Sequence, residues 1–297
     1  MKFGSADHPG SIDFFLPQDH PGTAEVLEKT GSSEPPEIYV GCAKWNRKDL
    51  KNFYPKGTGD ELEYYGSQFN AVEMNATFYR NFSEDQINDW YQKVPEGFRF
   101  FPKVNQRVSH FKWLNDVEKA RDDFLDSVVH FREKLGTVFL QLRSKFAPKF
   151  FDRVVRFVEE WPEGIPLAAE FRHTDWFNDP SVAEDLYQLL EENNVANVIV
   201  DTAGRRDLLH MRLTNNETFV RYVGANHPTD FTRLEEWVQR LQRWTDQGLD
   251  NIHFFVHQND EQRSPELAAH LIKNLNAELG SNLKVPNWLD GGQKDLF

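Results

Sequence analysis

Glu170, Arg172 and His173 stand almost side by side in Ala168-Ala169-Glu170-Phe171-Arg172-His173, followed by Thr174-Asp175-Trp176. A carboxylate, a guanidinium and an imidazole this close can do acid/base work or hold an anion. The plainer alternative is an ion pair between Glu170 and Arg172, with His173 capping a turn. In Val72-Glu73-Met74-Asn75-Ala76-Thr77-Phe78-Tyr79, the polar Glu73, Asn75, Thr77 and Tyr79 share one parity, and the apolar residues take the other. An extended chain sends such a set to one face. Glu73 then either meets a ligand or forms a buried pair with an Arg or Lys. Lys103 and Asn105 share a parity, and Gln141 lies between Leu140 and Leu142. Asp201 follows Val198-Ile199-Val200, Arg221 sits inside an apolar run, and His257 near the end of another. Trp45, Tyr79 and Trp176 are candidate aromatic walls.

These residues need elements that bring them together. Eight β-like runs, rich in Val, Ile, Phe and Tyr, recur along the chain. They are 38–45, 71–79, 99–105, 137–142, 166–172, 197–201, 218–224 and 251–258. Most are separated by amphipathic stretches. Val117 to Leu135 places Phe124, Val128, Phe131 and Leu135 at spacings of three and four, and Asp230 to Gln247 does the same with Leu234, Trp237, Val238 and Leu241. Ser83 with Gln86 has capping-box spacing, and Ser264-Pro265-Glu266 has helix-start chemistry. The alternation predicts an α/β fold, a (β/α)8 TIM-type barrel forming a single domain over residues 38–280. A doubly wound open sheet is the competitor. It lacks support in Gly41-Cys42-Ala43-Lys44-Trp45-Asn46, which is no dinucleotide fingerprint. Residues 1–37, rich in Gly, Pro, Ser and Asp, read as an irregular N-terminal arm or cap, and residues 281–297 as a C-terminal tail. In such a barrel the chemistry sits at the C-terminal ends of the strands.

Composition narrows the function classes. The chain has 297 residues, 39% hydrophobic and 27% charged, which is globular usage and excludes collagen, coiled coil or disorder as the main body. No stretch approaches the ~20 apolar residues of a membrane helix, and none near the start serves as a secretory core. The reading is a cytoplasmic protein with no membrane partner. A net charge of −13 argues against binding long nucleic acid, which needs a basic surface. One cysteine, Cys42, excludes an intrachain disulfide and multi-thiolate zinc sites. Three cations at strand ends of an acidic protein point to a small anionic or polyhydroxylated ligand.

The ordered motifs resemble those of one family. Val72 to Tyr79 resembles the V-E-x-N-x-T-F-Y motif of the YecE-like family, domain of unknown function 72. F-x-F-F-P-K at 98–103, F-L-Q-L at 139–142, A-E-F-R-H-T-D-W at 169–176 and V-R-Y-V-G at 220–224 resemble its later landmarks. The match spans about residues 38–275 and implies a TIM-type barrel without supplying an activity. Gly41-Cys42-Ala43-Lys44-Trp45 departs from the family's G-T-S-G-W. Tyr222-Val223 stand where a histidine is usual, and His257-Gln258-Asn259 where paired Asn residues are.

Three functions compete. The first is an enzyme (hydrolase, isomerase or lyase) acting on a small anionic or sugar-like substrate. In it Glu170 and His173 are acid/base residues and Asp201 orients a partner. Glu73, Asn75, Tyr79, Lys103, Gln141, Arg172, Trp176 and Arg221 bind substrate. The second is a divalent-metal-dependent hydrolase or isomerase using Glu73, Glu170, Asp201, His173 and His257. It is disfavoured by the absence of H-x-H or H-E-x-x-H spacing and by the nearby cations, so no metal ligand or cofactor is assigned. The third is a non-enzymatic nucleotide- or nucleic-acid-binding module, with Arg47-Lys48-Asp49-Leu50-Lys51 at its rim.

Overall fold

The computed structural model describes residues 4–31 and 34–288. Nine short strands carry the expected β-runs. They are β1 (Glu37–Cys42), β2 (Ala71–Met74), β3 (Arg99–Pro102), β4 (Val138–Gln141), β5 (Leu167–Glu170), β6 (Ala196–Asn197), β7 (Ile199–Thr202), β8 (Glu217–Gly224) and β9 (Asn251–Gln258). All pairings between them are parallel. They form a six-stranded sheet in the order β3-β2-β1-β9-β8-β7 and a three-stranded sheet, β4-β5-β6. The α/β architecture with parallel strands therefore stands as expected. The ladders fall into two sheets, where the sequence predicts one eight-stranded ring. Only Val198 separates β6 from β7, so the predicted run 197–201 is two strands with a break, and the Val198 N–H donates to Ala169 O at 2.9 Å. Between β3 and β4 there are isolated parallel bridges, Phe100 with Leu135 and Lys103 with Phe139.

Both sheets contribute to one apolar cluster. Ala71, Phe101, Phe139, Ala168, Ala196, Val198, Val200, Phe219 and Phe255 are buried against one another, with Tyr39 beside them. The opposite parity of the same strands (Val72, Phe100, Leu140, Ala169, Ile199, Val220 and Phe254) belongs to a second, larger core shared with the helices. Period-two alternation thus assigns each strand residue to one of two layers.

Helices fill most crossovers, as parallel connections require. Among them α1 is Pro21–Thr30, α2 Glu61–Gln68, α3 Ala76–Tyr79, α4 Glu84–Lys93 and α5 Glu118–Val128. After these come α6 Phe151–Glu159, α7 Asp175–Asn178, α8 Pro180–Glu192, α9 Thr229–Asp246 and α10 Ser264–Leu279. Ser83 caps α4 by accepting from the Gln86 N–H, and Pro265 stands in the first turn of α10. Several predicted elements are shorter than expected, among them the runs 38–45 and 99–105, which end at Cys42 and Pro102. The helix over 117–135 ends at Val128, and a tighter turn follows in which Arg132 has φ of 52°. The predicted strand 71–79 ends at Met74 and gives way to α3.

The N-terminal segment contains α1, whose Thr23 Oγ1 donates to Met211 O at 2.8 Å. Further along, Arg240 Nη1 donates to Asp19 Oδ1 at 2.6 Å and the Leu16 N–H donates to Glu236 Oε1 at 2.8 Å. In the C-terminal segment, Leu283 and Val285 pack against the core and the Asn287 N–H donates to Gln68 Oε1 at 2.9 Å. The rest of the predicted tail, 289–297, lies outside the described residues.

Phe219 sits at the centre of the inner cluster, its ring 5.3 Å from Phe139 and 5.1 Å from Phe255. Phe219→Ala is expected to lower unfolding stability by about 3–5 kcal/mol. Urea denaturation checks this, and a loss below about 1 kcal/mol would mean the cluster is not a packed core.

Candidate active site

A polar layer sits on the apolar cluster, one strand repeat further along each chain segment. Two residues after Ala71, Phe101, Phe139, Ala168, Phe219 and Phe255 come Glu73, Lys103, Gln141, Glu170, Arg221 and His257. Strands that point the first set inward must point the second set the same way. All six lie toward the C-terminal ends of their strands or just beyond, the end where parallel α/β sheets carry ligands.

Hydrogen bonds join all six. Arg221 donates from Nε to Glu73 Oε2 and from Nη2 to Glu73 Oε1, each at 2.8 Å. Its Nη1 donates to Glu170 Oε2 at 2.6 Å. Glu170 also accepts from Arg172 Nε and, at 2.9 Å, from Gln141 Nε2. Gln141 Oε1 in turn accepts from Lys103 Nζ at 2.8 Å. On the other side, Asn75 Nδ2 donates to Glu73 Oε1 at 2.7 Å, and His257 Nε2 lies 2.9 Å from Glu73 Oε2. An ionised carboxylate only accepts, so Nε2 is the protonated nitrogen of His257.

The charges follow from these contacts. Glu73 and Glu170 are wholly buried. Burial alone would raise their carboxyl pKa values, but the cations outweigh it. Arg172 and Arg221 bring Glu170 down to about 2, and Arg221 with His257 holds Glu73 well below the usual carboxylate range. Burial would lower the Arg221 pKa, but Glu73 and Glu170 raise it above the usual value. Lys103 goes the other way. Burial, then Arg221, bring its ammonium down to about 7, because its hydrogen-bond partner is a neutral amide. The ring of Phe78 lies 4.4 Å from Lys103 Nζ and that of Phe139 5.9 Å. His110 stacks edge-on to Phe78 at 4.8 Å, and burial, Lys103, Arg143 and Arg172 hold it at about 4. The layer is therefore polarised. Lys103, Arg143 and Arg172 surround His110 on one side, and Glu73 with His257 lies on the other.

Several predicted site residues are elsewhere. Asp201 points to the opposite face of β7, toward α9. There it accepts from Arg206, from Arg233 Nη2 at 2.9 Å and from Trp237 Nε1 at 2.8 Å. Arg206 continues to the carbonyls of Phe14 and Phe15 at 3.0 and 2.9 Å, so Asp201 anchors the N-terminal segment and orients no group of the layer. The physical reason is parity: Val198 and Val200 fill the inner cluster, which sends Asp201 outward. Trp176 is fully buried, its Nε1 donating to Phe146 O at 2.7 Å, and forms no open wall. Tyr79 is 69% exposed on α3, its ring edge-on to Phe78 at 5.1 Å. His173 Nδ1 accepts from the Asp175 N–H at 3.2 Å, a turn contact. Trp45 packs on Trp90. Asn105 is buried beside the layer and braces α3 through Thr77 O at 3.2 Å. The five proposed metal donors are thus not assembled. Among the described residues, no group of three or more His, Cys, Asp or Glu side chains could hold a metal ion.

Phe78, His110 and Arg143 were not predicted for the site. Extending the strand alternation beyond Met74 places Phe78 outward. Asn75 has helical φ and ψ, and Thr77 Oγ1 donates to Met74 O and Lys103 O, which turns the chain and brings Phe78 over Lys103. His110 lies in a π-helical turn, Arg107–Phe111, that carries no periodic signal. Two surface clefts, one beside Asn70 and Phe98 and the other beside Pro166 and Val195, lie at the N-terminal ends of the strands, away from this layer.

Residues 39–288 match the family described as Protein of unknown function DUF72. The chain belongs to the DUF72 family. The DUF72 relatives include the UPF0759 protein YecE of Escherichia coli K12, 26% identical over 271 residues, covering 84% of this chain and 96% of YecE. The UPF0759 protein YunF of Bacillus subtilis 168 is 27% identical over 246 residues, covering 76% of this chain and 85% of YunF. A crystal structure of a DUF72 protein from Enterococcus faecalis V583 superposes with a TM-score of 0.64 at 20% identity, covering 80% of this chain and 97% of that one. That likeness carries the fold. No described helix is long and apolar enough to cross a membrane.

Arg221→Met would leave two buried carboxylates without their shared partner. The expected loss is about 3–5 kcal/mol at neutral pH. The pH dependence has a definite sign. In the native protein Glu170 is held below its ordinary value of 4.5, so its stabilisation is complete above that pH and lost as pH falls toward 2. In the variant, Glu73 loses the strongest cation that lowers its pKa while burial still raises it, so the variant's deficit shrinks on acidification. Urea titrations of both proteins at pH 7 and pH 4 test this, and a deficit that grows at pH 4 would contradict it.

Proposed function

We propose that this protein is an enzyme acting on a small anionic or sugar-like substrate by acid/base chemistry at the C-terminal ends of its strands. The observation that carries this reading is the continuous set Glu73–Arg221–Glu170–Gln141–Lys103. It places one amine that titrates near neutrality among carboxylates that do not. A general acid or base works best with a pKa near the working pH. Lys103 meets that condition, whereas Glu170, held near 2, is a fixed negative charge. Lys103 therefore carries the proton transfer, and Glu170 positions Gln141 and Arg172. Hydroxyl groups of a substrate find acceptors at Glu73 and donors at Asn75, and an anionic group is drawn to the Lys103–Arg143–Arg172 side.

The two sheets are best read as arcs of one (β/α)8 barrel with this layer in its mouth. Three features support the closure. They are the Lys103–Phe139 bridge at one seam, the single-residue break at Val198 at the other, and the inner cluster shared by both sheets.

Calorimetric titration of purified protein with sugar acids, sugar phosphates and inorganic phosphate tests the reading. At least one of these is expected to bind saturably, with the bound molecule lost in Lys103→Met. Turnover of a substrate found this way should rise with pH through about 7 and vanish in Lys103→Met. It should also fall sharply in Glu170→Gln, with far-UV circular dichroism unchanged. Binding indifferent to both substitutions would refute the assignment.

A further inference from the structure

We infer that Lys103 is a covalent residue whose Nζ forms an imine with the carbonyl carbon of a small hydroxylated or phosphorylated aldehyde or ketone. The inference deepens the proposed function and rests on its placing of the substrate in the strand-end layer; it gives Lys103 the attack on the carbonyl carbon in place of the proton transfer.

Geometry singles out this lysine. Among the described residues, no carboxylate pairs with its Nζ, and its hydrogen-bond acceptor is Gln141 Oε1 at 2.8 Å. Gln141 cannot turn over without loss, because its Nε2 donates to Glu170 Oε2 at 2.9 Å and only the oxygen is left for Lys103. A neutral amine that donates one N–H to that oxygen has its lone pair directed elsewhere, toward whatever else meets the nitrogen. Phe78 and Phe139 cover the Nζ with ring faces at 4.4 and 5.9 Å. Burial among apolar rings and a neighbouring cation, Arg221, are the two features that turn a lysine into a nucleophile. The charged neighbours acting on Lys103 are Arg221, Glu170, Arg172 and Glu73, and burial outweighs the two carboxylates. About half of Lys103 is therefore unprotonated near pH 7, against a small fraction of a percent for an ordinary surface lysine.

The step balances without an oxidant or reductant. The neutral amine adds to the carbonyl carbon, forming a C–N bond as the C=O π bond opens to a hydroxyl. The two amine protons leave with the carbonyl oxygen as water, and a C=N bond remains. Such an imine withdraws electrons from the adjacent carbon. That chemistry fits a lyase or an isomerase and has no part in simple hydrolysis.

The test is trapping by reduction. Full-length protein is incubated at pH 7 with dihydroxyacetone or with dihydroxyacetone phosphate in the presence of cyanoborohydride. The reagent delivers hydride to the imine carbon, and water supplies the proton to nitrogen. The expected product is one adduct per chain, heavier by the probe less one oxygen, on the peptide carrying Lys103 and absent from Lys103→Arg. Labelling by both probes supports a hydroxylated skeleton as sufficient, and labelling by the phosphorylated probe alone supports a required anion. The rate should be half-maximal near pH 7. Absence of the adduct, or equal labelling of Lys103→Arg, overturns the inference whether or not that variant stays folded, because wild-type labelling at Lys103 is the primary readout. Calorimetric binding of inorganic phosphate to the same wild-type sample separates the two failures. Binding without an adduct removes the covalent step and leaves the mouth as a binding site. Loss of both, with sugar acids and sugar phosphates also failing to bind, removes the proposed function as well.

Discussion

Arg221 is the constraint on which the rest of the polar layer depends. A buried carboxylate is costly, and two of them side by side are more so, unless a cation meets both with good geometry. Arg221 reaches Glu73 with two nitrogens and Glu170 with the third, so it links the C-terminal parts of β2, β5 and β8. A shift of any of these strands by one residue would send its charged group to the opposite face. The pairing therefore fixes register as well as charge. It also decides which groups are free for chemistry. Once Arg221 has committed Glu73 and Glu170 to the ionised state, neither can give up a proton near neutrality. The titratable amine of Lys103 stands next to them.

The layer is stable because of what lies beneath it. Phe101, Phe139, Phe219 and Phe255 form an apolar floor, and Arg221 rests 5.4 Å above the Phe139 ring. That floor excludes water from one side of every polar group, which strengthens each hydrogen bond and raises the cost of leaving one unmade. Lys103 shows both effects. It gains a well-fixed amide partner, and it loses the hydration that would keep it charged.

Much of this was legible in the chain, and the failures have physical causes. Alternation separates Glu73 from the apolar residues of β2, and the structure gathers it with Gln141, Glu170 and Arg221 of β4, β5 and β8, because a strand has no freedom to do otherwise. The same rule failed at Tyr79, where Asn75 had already turned helical. At Asp201 the preceding run Val198-Ile199-Val200 is apolar on both parities, so hydrophobicity alone could not say which face was inner. The place of Trp176 just after Glu170-Phe171-Arg172-His173 makes it a candidate wall. Its N–H instead satisfies a buried carbonyl, a partner that only tertiary structure supplies. His110 comes from a π-helical turn and Arg143 from a loop, and neither carries a period to read. Composition marks the N-terminal segment as an arm but does not reveal the Arg206–Asp201–Arg233 anchor that receives it, since Arg206 reaches the carbonyls of Phe14 and Phe15 from positions 192 and 191 residues away.

The most direct test of the account is a carbon-13 NMR titration of the glutamate side-chain carboxyls in the native protein. The account predicts two carboxyls, assigned by Glu73→Gln and Glu170→Gln, that stay ionised at pH 3.5 to 4 while the surface glutamates gain protons, at ordinary values of about 4.3. A titration in which either carboxyl protonates in or above the ordinary range would mean that Arg221 does not hold the pair, and the assignment of the chemistry to Lys103 would fall with it.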